Sequence, residues 1–348
     1  MLRRFAPIII CGFLSLVVVS CTSPSSTIAL SKPSASPRPS PSPTATVAPG
    51  TIAKVPLLAG QSPWGIAAGS DGNLWVTLPN PGSSAIDKVT QKGAITKFAL
   101  SPSSPGPGND VIVAGPDGNL WFTENSGGAI GRITPTGVVT EFKQAGVIGV
   151  PFFITVGPDG NLWYTDEGGG GVKPSISMIT TGGVATSFAI PLAGSRPFGI
   201  ATGSDGNLWF LENLDNEVGK STTAGVMSFF SLPTSHSSPY AIAAGPDRNL
   251  WFTETVGNNV GRITPAGTIT EFALPHANSQ PKGIATGPDG NLWFTELGKI
   301  GRISPTGAIT EFPLPAGDSA FLISPGPAGD PHMWFTEQFS GAVGSIHT

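Results

Sequence analysis

From about residue 51 onward, short apolar runs and short polar punctuation follow one another in a fixed order. The stretch from Pro239 to Leu274 shows it: Pro-Tyr-Ala-Ile-Ala-Ala-Gly, Pro-Asp-Arg, Asn-Leu-Trp-Phe-Thr-Glu, Asn-Val-Gly-Arg-Ile, Thr-Pro-Ala-Gly, Thr-Ile-Thr-Glu-Phe. β-Prone runs of this length, bounded by Gly, Pro, Asp and Asn, predict four consecutive strands, a to d. No helical segment is needed to account for the rest of the pattern.

The same phrase recurs along the chain. Its tryptophans, Trp75, Trp121, Trp163, Trp209, Trp251, Trp293 and Trp334, are spaced by 46, 42, 46, 42, 42 and 41 residues. Self-similarity at this period, with Gly-rich turns, marks an all-β fold, a seven-bladed β-propeller with one four-stranded blade per repeat. Strand a, small and Gly-rich, is expected to line the axis, and the bulky tryptophan of strand b to fill the space between blades. The segment Thr51-Ile52-Ala53-Lys54-Val55-Pro56-Leu57 reads as a d strand yet precedes the first repeat, whereas the seventh repeat ends at Thr348 without one. The last blade is therefore expected to be closed by the N-terminal strand, which removes an open sheet edge.

An aspartate stands four residues before each tryptophan, at Asp71, Asp117, Asp159, Asp205, Asp247, Asp289 and Asp330. In so tight an a-to-b turn the carboxylate is expected to accept backbone N–H groups as an Asx turn. Its identical use in seven places makes it scaffold rather than a Ca²⁺ ligand.

The N-terminal residues break the pattern. Met1-Leu2-Arg3-Arg4, an apolar run from Phe5 to Val19 and Ser20-Cys21 read as a secretory signal spanning residues 1–21. The run is too short for a membrane span. A Cys at the cleavage point matches a lipoprotein signal, with Cys21 acylated and the protein held on the outer side of a bacterial membrane by that lipid alone. The other reading is a plain signal peptide with an incidental Cys. Residues 22–50, rich in Ser, Pro and Thr, form an expected disordered tether, and residues 51–348 the propeller. Cys11 is the only other cysteine, so the exported domain has neither a disulfide nor a thiolate metal site. A net charge of -4 gives no reason to expect nucleic acid as a partner, and a monomer is expected.

Chemistry concentrates on the face where the d-to-a and b-to-c loops emerge. The first side chains of strand a there are Trp64, Asp110, Phe152, Phe198, Tyr240, Lys282 and Phe321, five of them aromatic. They vary between blades, as the lining of a binding mouth would; aromatic plugging of the channel entrance is the equally simple alternative. Three residues after each tryptophan lie Leu78 and then six carboxylates, Glu124, Asp166, Glu212, Glu254, Glu296 and Glu337, which are expected to satisfy backbone groups between blades. His236 and His276 sit in neighbouring d-to-a loops on the same face, whereas His332 belongs to an opposite-face turn and His347 to the terminus. A solvated loop histidine is the simpler reading of the first two, an acid or base the sharper one. There is no phosphate-binding glycine loop, nucleophile elbow or zinc-protease helix motif.

The repeated Pro-x-Gly-Ile-x-x-Gly, Asp-Gly-Asn-Leu-Trp-Phe-Thr-Glu, Ile-Gly-Arg-Ile-Thr and Ile-Thr-Glu-Phe resemble the streptogramin lyase family over residues 51–348. That resemblance implies a seven-bladed propeller. It also implies Mg²⁺-assisted elimination that opens the ester ring of cyclic depsipeptide antibiotics. In the family, histidines follow the strand-a proline of blades 6 and 7. Here those positions hold Lys282 and Phe321, with Ser319 in place of a family Glu and Glu337 or Gln338 near another. The expectation is thus a binding propeller for an amphiphilic or peptide-like ligand. The alternative is a divergent lyase, with Mg²⁺ on Glu296 or Glu337 and with Lys282, His276 or His236 as base.

Overall fold

A computed structural model of the chain describes residues 47–57, 60–80, 84–100 and 111–348. Cys21, the signal segment, the tether up to residue 46 and Asp110 lie outside the described residues.

Twenty-eight strands form seven four-stranded antiparallel sheets, six of them in the sequential order a, b, c, d. No helix occurs among the described residues. Blade 5, for example, is built of Pro239–Ala244, Leu250–Glu254, Asn259–Ile263 and Ile269–Ala273. Blade 7 takes its a, b and c strands from the end of the chain, Ala320–Pro325, His332–Glu337 and Ala342–His347. Its d strand is Ile52–Pro56, paired from Ile52 with Ile346 to Pro56 with Ala342. The closure expected from the misplaced d-like segment is the one that forms.

In most blades strand b is buried from end to end, because it packs against sheets on both sides. Six of the seven repeat tryptophans are fully inaccessible and stack on the phenylalanine of their own strand d, with centroids 5.4–5.6 Å apart. The same phenylalanine slides beneath a glycine of the next blade. Phe98, for instance, lies 2.0 Å from where a Cβ on Gly137 would stand, and that glycine has a φ of +94°. A side chain there would meet both the ring and a strained backbone, so only glycine fits.

The turn aspartates do what an Asx turn requires, and more. Asp205 Oδ1 accepts the N–H of Asn207 and also the indole N–H of Trp209 at 3.1 Å, while Oδ2 accepts the Asn207 amide. The other repeats share this arrangement, with His332 replacing the asparagine in blade 7. The four-residue spacing from Asp to Trp is thus a hydrogen-bond distance, and it anchors the largest core side chain to the tightest turn.

Candidate functional site

Strand a carries a β-bulge in blades 3, 4, 5 and 7, at Phe152, Phe198, Tyr240 and Phe321 respectively. A bulge re-aims the side chains it contains. Here the rings meet across the axis: Phe152 with Phe198 at 4.6 Å, Phe198 with Tyr240 at 5.4 Å, Tyr240 with Phe321 at 6.0 Å, and Phe321 with Trp64 at 4.3 Å. Phe152, Phe198 and Phe321 are buried, and Trp64 and Tyr240 are partly so. The five aromatics are one cluster closing the axial channel, so much of their surface faces each other rather than solvent. Beneath them the channel is a cavity of about 390 Å³ walled by strand-a residues such as Ile66, Ile242 and Ile284.

A second device, not expected from the sequence, holds these residues. The threonine of strand b in one blade donates its hydroxyl to the carbonyl of the mouth residue in the next. Thr123 reaches Phe152, Thr253 reaches Lys282 at 2.6 Å, Thr295 reaches Phe321 at 2.7 Å and Thr336 reaches Trp64. The signal was present in the repeated Leu-Trp-Phe-Thr-Glu, but its meaning needs the neighbouring blade.

Lys282 departs from the aromatic pattern. Its ammonium lies 4.5 Å from the centroid of Phe321, and burial lowers its pKa, with no carboxylate among the described residues to offset the effect. Beside it, between blades 6 and 7, opens a cleft of about 230 Å³. Its walls include Gln280, Ser319, Phe321, Gln338 and two exposed apolar side chains, Leu297 and Phe339. The cleft combines one poorly solvated cation, a ring face and three polar side chains.

The six carboxylates at the ends of the b strands are all buried. Asp166 accepts the N–H groups of Gly149, Val150 and Gly168, and Glu212 accepts the Ser195 hydroxyl and the Arg196 N–H. They tie their own d-to-a loops to strand b. Burial pushes Glu212, Glu254 and Glu296 up to about 7; proximity to Glu271 adds to this in Glu254 and proximity to Glu311 in Glu296. Glu337 is held by Lys54 at 2.7 Å and by the Ser340 hydroxyl.

Among the described residues, no three His, Cys, Asp or Glu side chains converge as metal ligands. Glu337 already has an ammonium partner, and Glu296 is not part of the cleft wall. The donor set therefore does not fit Mg²⁺ coordination at the cleft. His276 is also turned elsewhere: its Nδ1 lies 2.6 Å from Glu311, which Lys299 also engages at 2.7 Å, and its side chain is 65% exposed. His236 is exposed with a φ of 54°. Of the sequence-derived site residues, the structure brings Lys282 and Phe321 together at the cleft and Trp64, Phe152, Phe198 and Tyr240 into the aromatic cluster. It leaves His236, His276, Glu296 and Glu337 outside the cleft wall.

Comparison with known proteins bears on the propeller as a whole. The family model described as virginiamycin B lyase matches residues 50–173 and 171–348. A catalytically inactive variant of virginiamycin B lyase from Staphylococcus aureus, solved with quinupristin, superposes with a TM-score of 0.77. It is 33% identical, over 86% of this chain and 99% of that one. A streptogramin B lyase structure follows at 32% identity and a TM-score of 0.76, covering 85% and 97%. The extracellular domain of a two-component system from B. thetaiotaomicron has a TM-score of 0.67 at 14% identity. It covers 86% of this chain and 43% of that one, and shows likeness of fold alone. No sequence among curated proteins matches.

Proposed function

The chain belongs to the virginiamycin B lyase family, and on that premise we propose that it binds an amphiphilic, peptide-like molecule in the cleft between blades 6 and 7 without transforming it. Lys282 carries this reading. A desolvated ammonium with a ring on one side and no counter-ion among the described residues gains a charge-assisted hydrogen bond from a carbonyl or carboxylate that arrives with apolar substituents. Leu297 and Phe339 supply apolar wall for those substituents, and Ser319, Gln280 and Gln338 supply polar partners.

Proton abstraction asks for something different. A base must be deprotonated near neutral pH and within reach of the proton, and the residues in the positions of the family's histidine pair are Lys282 and Phe321. Lys282 has its pKa moved in the required direction, which is the one observation favouring a surviving lyase activity. Export through the signal at residues 1–21 and acylation of Cys21 complete the proposal, placing the binder on the outer side of a membrane.

Quinupristin is the probe for this site, since a family relative has been solved with it. Calorimetry of the full chain should show binding that weakens at least tenfold in Lys282→Ala, and mass spectrometry with Mg²⁺ or EDTA should find the ring intact. A Mg²⁺-dependent linear product of unchanged mass would overturn the non-catalytic reading in favour of elimination. Absence of binding would reject this ligand class.

A further inference from the structure

We propose a second ligand site, on the face opposite the mouth, at the seam where blade 7 meets blade 1, suited to a small aromatic cation. Blade 7 breaks a template that the other blades share. In six blades the strand-d phenylalanine stacks on the strand-b tryptophan and fits under a glycine of the next blade, in its c-to-d turn or, for Phe312, at Gly50 just ahead of the closing strand, where a Cβ would stand 2.0–2.6 Å from the ring. In five of them a strand-c lysine or arginine also lies 4.9–5.6 Å from the tryptophan ring. Three of these cations, Lys88, Lys220 and Arg302, come within 2.8–4.0 Å of the turn aspartate.

Blade 7 lacks both partners. Its d strand comes from the other end of the chain and places Val55 opposite Val343, the register at which Phe272 faces Val260 in blade 5. Opposite Trp334, where a cation would project, stands Ser345. Val55 comes no nearer than 3.7 Å to the Cβ position of Gly93.

The space left is a cavity of about 790 Å³ whose lining includes Trp334, Val55, Ser345, Gly93, Asp330 and His332, together with Lys92 and with Lys54, whose ammonium is taken by Asp318 and Glu337. The cavity is larger than the mouth cleft or the axial channel and within the range of small-molecule sites. Trp334 is the one repeat tryptophan that keeps measurable exposure, 6% against 0% for the other six.

The missing groups define the ligand. A ring in the place of the phenylalanine stacks on Trp334 and fills the space above Val55. An ammonium in the place of the strand-c cation lies near the same ring and near Asp330, whose carboxylate accepts the Trp334 indole N–H at 2.7 Å and contacts His332 at 2.6 Å. A bound arylalkylamine therefore also braces the closing strand against blade 1.

Calorimetry of the full chain with tryptamine, 3-methylindole and butylamine tests the assignment. Tryptamine should bind, and both the ring without charge and the charge without ring should bind at least tenfold more weakly. Restoring the template with Val55→Phe and Ser345→Arg should raise the melting temperature and abolish tryptamine binding. Val55→Phe alone provides the same test if the pair does not fold. Unchanged affinity in the refilled variant, or no tryptamine binding to the full chain, overturns the site.

Discussion

Asp87→Asn should stabilise the protein above neutral pH and do little in acid. In blades 2, 4, 5, 6 and 7 the strand-c residue beneath the strand-b phenylalanine is glycine, because a Cβ there would come within 2.1–2.2 Å of the ring. Blade 1 has Val76 in place of the phenylalanine, and Asp87 occupies the room this leaves. Asp87 is fully buried, and neither carboxylate oxygen has a hydrogen-bond partner among the described residues. Burial raises its pKa from 3.8 to about 6, against a lowering by Lys97. A raised carboxylate pKa means that the folded state holds the proton more tightly than the unfolded chain. Its contribution to stability is complete below about pH 4 and is lost as pH rises through 6. The rise from 3.8 to about 6, at about 1.4 kcal/mol per pH unit, puts that loss at about 3 kcal/mol by pH 7.5. Urea unfolding of wild type and Asp87→Asn from pH 4 to pH 8 isolates it, since every other group titrates in both proteins. The wild-type stability should fall by about 3 kcal/mol relative to the variant across that range. Parallel curves would show that Asp87 is paired or hydrated in the folded state, and the reasoning would fail.

Glu212, Glu254 and Glu296, each raised from 4.5 to about 7, should act in the same direction between pH 4.5 and 7, so Gln at any of the three should flatten the decline in melting temperature with pH. Asp205 is the opposite case. Burial opposes its ionisation, but bonds from Lys220, Trp209 and Asn207 outweigh it and bring the pKa down to about 2, so its stabilisation is present above pH 3.8 and lost as pH falls through 2. Asp205→Ala should cost about 2 kcal/mol at pH 7 by leaving the buried Trp209 N–H unpaired, measured by chemical unfolding. Deleting residues 52–56 removes five cross-strand pairs and should lower stability by on the order of 5 kcal/mol; an unchanged melting temperature would contradict closure through this strand.

The blade count, the four strands per blade and the closing strand were all legible in the chain, because each repeat meets the same demand: a buried strand b, a Gly-permitted turn and an Asp four residues from a Trp whose N–H it accepts. These are local hydrogen-bonding and burial constraints, and a period of 41 to 46 residues displays them seven times. The face that collects variable residues was legible for the same reason, since alternating loops of an antiparallel blade must emerge on opposite sides. What each side chain meets there was not. Bulges turn Phe152, Phe198, Tyr240 and Phe321 onto one another, Glu311 and Lys299 take His276, and Lys54 takes Glu337. Each of these contacts joins residues from different strands or blades, so it depends on how neighbouring sheets are rotated and spaced. The seam cavity is the sharpest instance. Val55 and Ser345 are unremarkable in the sequence and lie 290 positions apart; only ring closure lays the strand of Val55 beside that of Ser345, next but one to Trp334, where the absence of a ring and a cation becomes a volume.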